Sequence, residues 1–234
     1  MKQIIALGDS IVRGIVLDKS QNNLKYRYTQ LDENFVAICS AQLGCVIKNF
    51  GMFGNTTLRA LHNLDRHKSA IESSEYVIME FGGNDCDHHW SEIADNPSAE
   101  HHPFISIPQY SEQLHELIAS VQSLGAKPIL LSLPPIIADK YFDTFTKDMS
   151  REQRDNVLLW LNGCLENITQ WHEMYNLQLF KLSAQLGVPI IDITTPFLVE
   201  RNYRECFCAD GIHPNEQGHR VIADTICRVA NGYI

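Results

Sequence analysis

Ile4-Ile5-Ala6-Leu7-Gly8-Asp9-Ser10 is the stretch from which the fold can be read. The run from Lys2 to Leu7 is nearly all apolar, as expected of a parallel strand covered on both faces. Gly8-Asp9-Ser10 then predicts a tight turn that leaves a hydroxyl at the carboxyl edge of a sheet. In open α/β sheets that edge is where ligands bind. A serine hydroxyl is a weak nucleophile until a base takes its proton. The base expected here is His213, far away in Asp210-Gly211-Ile212-His213-Pro214.

Working outward, four more apolar runs follow, each entering a turn. Cys45 to Phe50 leads into Asn49-Phe50-Gly51-Met52-Phe53-Gly54-Asn55-Thr56-Thr57, and Tyr76 to Phe81 into Gly82-Gly83-Asn84-Asp85. Lys127 to Leu133 stops at Pro134-Pro135, and Val188 to Ile193 precedes the loop that carries His213. Between them lie helical patterns over Phe35 to Leu43, from Thr56 or Thr57 to about His67, and over Pro108 to Leu124. Arg151 to Leu186 is also helical, with a break expected near Asn162-Gly163, and Asn215 to Val229 closes the chain. Strands alternating with helices predict a parallel sheet with right-handed crossovers, in one domain spanning 1–234. The turns after strands one, two and three then share one edge, which the loop after strand five can reach.

Two stretches lack periodicity. Residues 86–108 are rich in His, Pro and acidic side chains, and residues 136–150 are irregular. Loops this long in a compact domain usually serve function, and a lid or rim is expected. The polar segment Asp18 to Asp32 reads as a surface loop beside the site. Trp90, Phe104, Tyr141, Phe142 and Phe145 either line a pocket or make small satellite cores. The stripe Trp160, Leu161, Leu165, Ile168, Trp171, Tyr175, Leu179 and Leu182 reads as core.

Composition narrows the partners. The 234 residues are 44% hydrophobic and 20% charged, the profile of an ordinary soluble domain with a large core. A net charge of −9 argues against nucleic acid or an anionic membrane as the partner. No apolar run approaches the roughly 20 residues of a membrane span. Met1-Lys2-Gln3 enters a strand with no secretory pattern, so a cytoplasmic location is expected. The seven cysteines contain no paired C-x-x-C, so free thiols are expected, with Cys39, Cys164 and Cys227 in helical core positions. Asp85-Cys86-Asp87-His88-His89 with Glu100-His101-His102 raises a metal site, but the spacing fits no motif and no metal is expected. The sequence sets no oligomeric state.

At the shared edge the residue types suit acyl chemistry. Asp210, three residues before His213, would bond one ring nitrogen across a short turn and leave the other to face Ser10. The oxyanion would be met by the Ser10 amide, the Gly54 amide and the Asn84 side chain. Each element alone has a plainer reading: a capped turn at Ser10, a turn at Asn84-Asp85, a surface histidine at His213. Their order after the right strands favours the site.

With these motifs in place the chain resembles the SGNH hydrolases, the GDSL-type esterases and lipases. Gly8-Asp9-Ser10 with Gly14 matches the nucleophile block. Asn49-x-Gly51-x-x-Gly54-Asn55-Thr56, Gly82-Gly83-Asn84-Asp85 and Asp210-Gly211-Ile212-His213-Pro214-Asn215 match the other three. The resemblance implies a flavodoxin-like three-layer α/β/α fold with a five-stranded parallel sheet and a Ser10-His213-Asp210 triad. It implies Ser10, Gly54 and Asn84 as oxyanion donors, and cofactor-free hydrolysis of an ester or thioester through an acyl-enzyme. Asp9 is expected to be structural. Asn55 departs from the Asp that many relatives carry, at a position without a catalytic role. The expected substrate is a small-molecule ester, first an acetyl or other short acyl group on a carbohydrate or other small alcohol. A lysophospholipid or acyl thioester comes second. Non-catalytic nucleotide or sugar binding is the rival: Gly51 to Thr57 lacks a P-loop lysine, and a non-catalytic relative would be expected to lose Ser10 or His213.

Overall fold

Alternation along the strands divides the molecule into layers. In β1 (Gln3–Gly8) Ile5 and Leu7 enter one core and Ala6 the other. In β5 (Tyr76–Glu80) Val77 and Met79 join the first and Ile78 the second. Both faces of the sheet are therefore covered, and each fully buried Ile or Leu contributes roughly 1.5–3 kcal/mol. The structure is a computed structural model, which describes residues 3–18 and 27–232.

The sheet has five parallel strands in the order β4 (Val46–Gly51), β1, β5, β6 (Lys127–Leu131), β7 (Ile190–Ile191). The chain moves outward one way from β1 and then the other, which is the flavodoxin-like doubly wound order. Helices Ile107–Ser123 and Glu166–Leu186 cover the first face, and Phe35–Gln42 and Glu216–Gly232 the second. Helix Ile107–Ser123 shows why these segments coil. Its buried Tyr110, Leu114, Leu117, Ile118 and Val121 recur at helical spacing, and Ser106 with Gln109 forms a capping box.

The structure departs from the sequence reading in four places. The segment Asp18 to Asp32, expected to be a surface loop, contributes β3 (Arg27–Gln30), which pairs antiparallel with β2 (Ile15–Asp18) at its start; residues 19–26 lie outside the described residues. Residues 136–150 hold a helix, Ala138–Phe145, and residues 86–108 hold Trp90–Asp95. The helical stretch after Thr56 is Thr57–Asn63, a 3-10 turn over Leu64–His67, then Lys68–Glu72. Cys164 is exposed rather than core, because the break near Asn162-Gly163 is real. Both residues have positive φ (53° and 70°), ending helix Arg151–Trp160 before Glu166–Leu186 begins. Cys39 and Cys227 are buried as expected.

A third cluster lies apart from the sheet. Trp90, Ile93 and Ala94 pack against Phe142, Val157, Leu161 and Ile168. The two long loops thus share a core with the helices that follow them, and Trp90 stacks on Phe145 with centroids 4.3 Å apart. Of the loop aromatics, Trp90, Phe142, Tyr141 and Phe145 make a satellite core, while Phe104 is exposed.

Candidate active site

Ser10 opens the short helix Ser10–Arg13 directly after β1. Asp9 caps it, its Oδ1 accepting the Ile11 N–H at 2.8 Å. At the first helical position the Ser10 amide is one of the donors a helix start leaves unpaired. The turn that carries Gly54 follows β4, whose Gly51 lies in register with Gly8. Met52 N–H and Asn55 Nδ2 both donate to the Gly8 carbonyl, at 3.1 and 3.0 Å. The departure at Asn55 therefore has a structural use, since an ionised carboxylate there would have no hydrogen to give. Gly54 itself has φ +65°, a backbone that L side chains rarely adopt, and nothing lies within 4 Å of a side chain built there.

The two ends of the chain meet. His213 Nε2 lies 2.9 Å from Ser10 Oγ, and Nδ1 lies 2.8 Å from Asp210 Oδ2. Asp210 Oδ1 accepts the backbone N–H groups of Ile212 and His213, both at 3.1 Å. All three side chains are buried, at 7% exposure for Ser10, 2% for His213 and none for Asp210. Burial alone would raise the Asp210 carboxyl, but the His213 bond, the His213 charge and the two amides outweigh it and hold the group below its ordinary range. An ionised Asp210 puts the ring proton on Nδ1, leaving Nε2 to accept from Ser10. Gly211 makes the turn possible. It has φ +77°, and a Cβ there would meet the Ile137 carbonyl at 2.6 Å.

Asn84 follows β5. Its Nδ2 donates to Asp9 Oδ2 at 2.8 Å, which spends one amide hydrogen and fixes the plane of the group. Asp85 turns the other way, accepting from the N–H and hydroxyl of Thr57 at the start of helix Thr57–Asn63. Burial raises the Asp85 carboxyl to about 6. One group escaped the sequence reading: Glu80, the last residue of β5, is 1% exposed and is hydrogen-bonded to Asp9. A carboxylic acid at the end of an otherwise apolar strand was the available signal.

Ser10, Asn84 and His213 open into a cleft of about 410 Å³. Its walls include all three tryptophans of the chain, Trp90, Trp160 and Trp171. Half of the stripe read as core is therefore cleft wall: Trp160, Leu161, Ile168 and Trp171 face the cleft, while Tyr175, Leu179 and Leu182 stay inside. His88 packs among the three indoles, with centroid distances of 5.5, 5.2 and 5.6 Å. Burial lowers its pKa to about 4, which makes it a neutral, planar part of that wall. His101 instead reaches the Asn96 carbonyl, and His102 pairs with Glu100 in solvent. Among the described residues no three His, Cys, Asp or Glu side chains are grouped to hold a metal. On the rim, Tyr28 and Phe53 place their rings 5.2 and 6.1 Å from the His213 ring.

Above this cleft Asp87 ties the two long segments together, accepting from Trp90 Nε1 at 2.7 Å and the Tyr141 hydroxyl at 2.8 Å. Ile137 N–H donates to the Gly211 carbonyl at 2.8 Å, joining the second segment to the loop between Asp210 and His213. Among the described residues, no helix is long and apolar enough to cross a membrane.

A model of the GDSL-like lipase/acylhydrolase family matches residues 6–221. Among curated proteins, the GDSL esterase/lipase CPRD49 of Arabidopsis thaliana is 26% identical over 185 residues, covering 76% of this chain and 64% of that protein. A second GDSL esterase/lipase of the same plant is 24% identical over 232 residues, covering 98% and 64%. The chain thus spans 64% of the length of both curated relatives. Among solved structures, a lipase/acylhydrolase from Enterococcus faecalis superposes with a TM-score of 0.62 at 20% identity, covering 100% of this chain and 97% of that one. A catalytic mutant of an acetylxylan esterase from Geobacillus stearothermophilus gives 0.65 at 17% identity, covering 97% and 93%. These two likenesses are to the fold.

Proposed function

The chain belongs to the GDSL-like lipase/acylhydrolase family, and from that membership we propose that it is a single-domain serine esterase acting through an acyl-enzyme. The observation that carries the reading is the unbroken line Asp210–His213–Ser10, with contacts of 2.8 and 2.9 Å. Ser10 Oγ attacks the ester carbonyl while His213 Nε2 takes its proton. The tetrahedral oxyanion is held by the Ser10 and Gly54 amides and the second amide hydrogen of Asn84. His213 then gives its proton to the leaving alcohol. Water attacks the acyl-enzyme with His213 again as base, and Asp210 stabilises the imidazolium each time.

For the substrate we favour an acetyl or other short acyl group on a carbohydrate or another small, uncharged alcohol. Indole faces along the cleft suit a sugar ring, and among the described residues neither Lys nor Arg lines it. Acidic side chains, Asp9 and Asp87 among them, are part of that lining, which favours an uncharged substrate over a phosphate. The likeness to an acetylxylan esterase agrees with this choice. A longer acyl chain is the second reading, favoured by Leu133, Ile136, Ile168 and Met174 along the same walls.

Replacing Ser10 by Ala should abolish both p-nitrophenyl acetate hydrolysis and labelling by a fluorophosphonate; activity surviving in that variant sinks the mechanism. A chain-length series of p-nitrophenyl esters beside a panel of acetylated sugars tests the substrate. A preference for chains of eight or more carbons rules out the sugar reading.

A further inference from the structure

Beneath the nucleophile turn lies a carboxylic acid that the ester mechanism leaves unused. Glu80 ends the central strand β5 beside Gly8 of β1, with Gly8 and Glu80 in register. Its side chain is 1% exposed and meets Asp9 twice, through the Asp9 backbone N–H and through the Asp9 carboxyl. Asp9 in turn spends Oδ1 on the Ile11 amide and Oδ2 on Asn84 Nδ2, both at 2.8 Å. Three side chains from the ends of two neighbouring strands, β5 and β1, thus form one line: Glu80, Asp9, Asn84.

Two carboxyl groups in contact and out of water cannot both ionise. Burial pushes the Glu80 carboxyl well above its ordinary range, and the neighbouring charge of Asp9 pushes it further. The shared proton therefore rests on Glu80, which donates it to Asp9. This also accounts for Glu80 Oε2, which is buried with no donor facing it. The remaining neighbours do not change the assignment. Burial raises the Asp9 carboxyl as well, but its bonds to Ile11, Glu80 and Asn84 and the nearby His213 pull it back, while Asp85 and the Tyr110 hydroxyl stand close enough to feel Glu80.

We propose that Glu80 is a positioning residue: by donating to Asp9 it locks that carboxylate against Asn84 and so aims the free amide hydrogen of Asn84 at the oxyanion. The inference rests on the reading of Asn84 as an oxyanion donor. Without Glu80, Asp9 keeps the Ile11 bond but loses the contact that sets its rotation. Asn84 then follows a looser partner, and a donor aimed loosely at developing charge loses part of the about 100- to 1,000-fold that a complete donor carries.

The test is kinetic, with p-nitrophenyl acetate as substrate. Glu80→Gln keeps both bonds, its amide donating to Asp9 and its oxygen accepting the Asp9 N–H, so kcat should stay within about twofold of the parent. Glu80→Met keeps size without the bonds, and kcat should fall about tenfold with KM unchanged. Placed in an Asn84→Ala background, Glu80→Met should cost nothing more, because its route to the reaction is already cut. A native kcat in Glu80→Met overturns the proposal. So does a Glu80→Gln variant as slow as Glu80→Met, or an equal loss in the Asn84→Ala background, which marks a merely structural role. Should Glu80→Met fail to fold, Asp9→Asn breaks the middle of the same line. It should show the same loss in kcat alone, absent over Asn84→Ala, and a native kcat there overturns the proposal equally. If Asn84→Ala by itself keeps native kcat, the donor reading has failed and the inference falls with it. If Asn84→Ala loses 100-fold while Glu80→Met loses nothing, only the inference has failed.

Discussion

Replacing Asp210 by Asn should cripple the enzyme while leaving it folded, and the geometry says why. Asp210 uses Oδ1 for two backbone N–H groups at 3.1 Å and Oδ2 for His213 Nδ1 at 2.8 Å. An asparagine can keep only one side of this arrangement. If its oxygen stays with the two amides, its NH2 faces Nδ1, which must then be bare. The ring proton moves to Nε2, 2.9 Å from Ser10 Oγ, where a base is needed. If the side chain flips, the His213 bond survives but two buried amides face an NH2. Each unpaired donor costs about 1–3 kcal/mol, so the flip costs about 2–6 kcal/mol. The unflipped form wins, with the wrong tautomer. A mis-set tautomer in a Ser-His-Asp triad lowers kcat about 10,000-fold, equivalent to about 5.4 kcal/mol at 1.36 kcal/mol per decade. Because the backbone bonds persist, Tm should move by no more than about 4 °C, the scale of 1 kcal/mol in a chain this size. Steady-state hydrolysis of p-nitrophenyl acetate gives kcat, fluorophosphonate labelling follows the nucleophile separately, and a thermal scan gives Tm. A loss below tenfold with Tm unmoved would refute the reasoning, because His213 would then be oriented by something other than Asp210.

Two further outcomes are expected. Glu80 binds its proton more tightly folded than unfolded, so its contribution to stability is full below about 4.5 and drains as pH rises toward the folded value; Glu80→Gln should therefore gain Tm on the parent from pH 4.5 upward, and a difference constant from pH 4 to 9 in thermal scans contradicts it. Trp160→Ala removes an indole from the cleft wall and should raise KM for an acetylated sugar about tenfold with kcat little changed, since a ring contact contributes about 0.5–1.5 kcal/mol beyond its buried area; an unchanged KM in the same panel means the ring binds elsewhere.

What could be read from the sequence was local. Each strand is short and apolar, and each of the first three ends in residues that only a turn would choose, so Gly8, Gly51 and Gly82 marked the sheet edge before any contact was known. Asp210 and His213 needed only three residues of chain. The paired strands β2 and β3 could not be read, because Arg27-Tyr28-Thr29-Gln30 has no apolar alternation; its place comes from Leu17 meeting Cys208 and Tyr28 meeting His213. Helix Ala138–Phe145 is eight residues long, too short to declare a period, and its burial depends on Trp90, some fifty positions earlier. The cleft side of Trp160 and Trp171 was hidden for a similar reason. An apolar stripe looks the same whether it faces a core or a cavity.

The shared core of the two long segments has a consequence for how such a cleft can change. Trp90, Ile93 and Ala94 come from one stretch of chain, and Phe142, Val157, Leu161 and Ile168 from another, and the two sets cover each other in that cluster. Asn156 Nδ2 reaches the Ala94 carbonyl and Gln153 Nε2 reaches Asp95, both at 2.8 Å. Neither segment could be exchanged by itself without stripping apolar surface from its mate. A change in one segment is therefore expected to need a matching change in the other, although residues 109–135 separate them along the chain, while the sheet and the Ser10–His213 contact beneath them stay as they are.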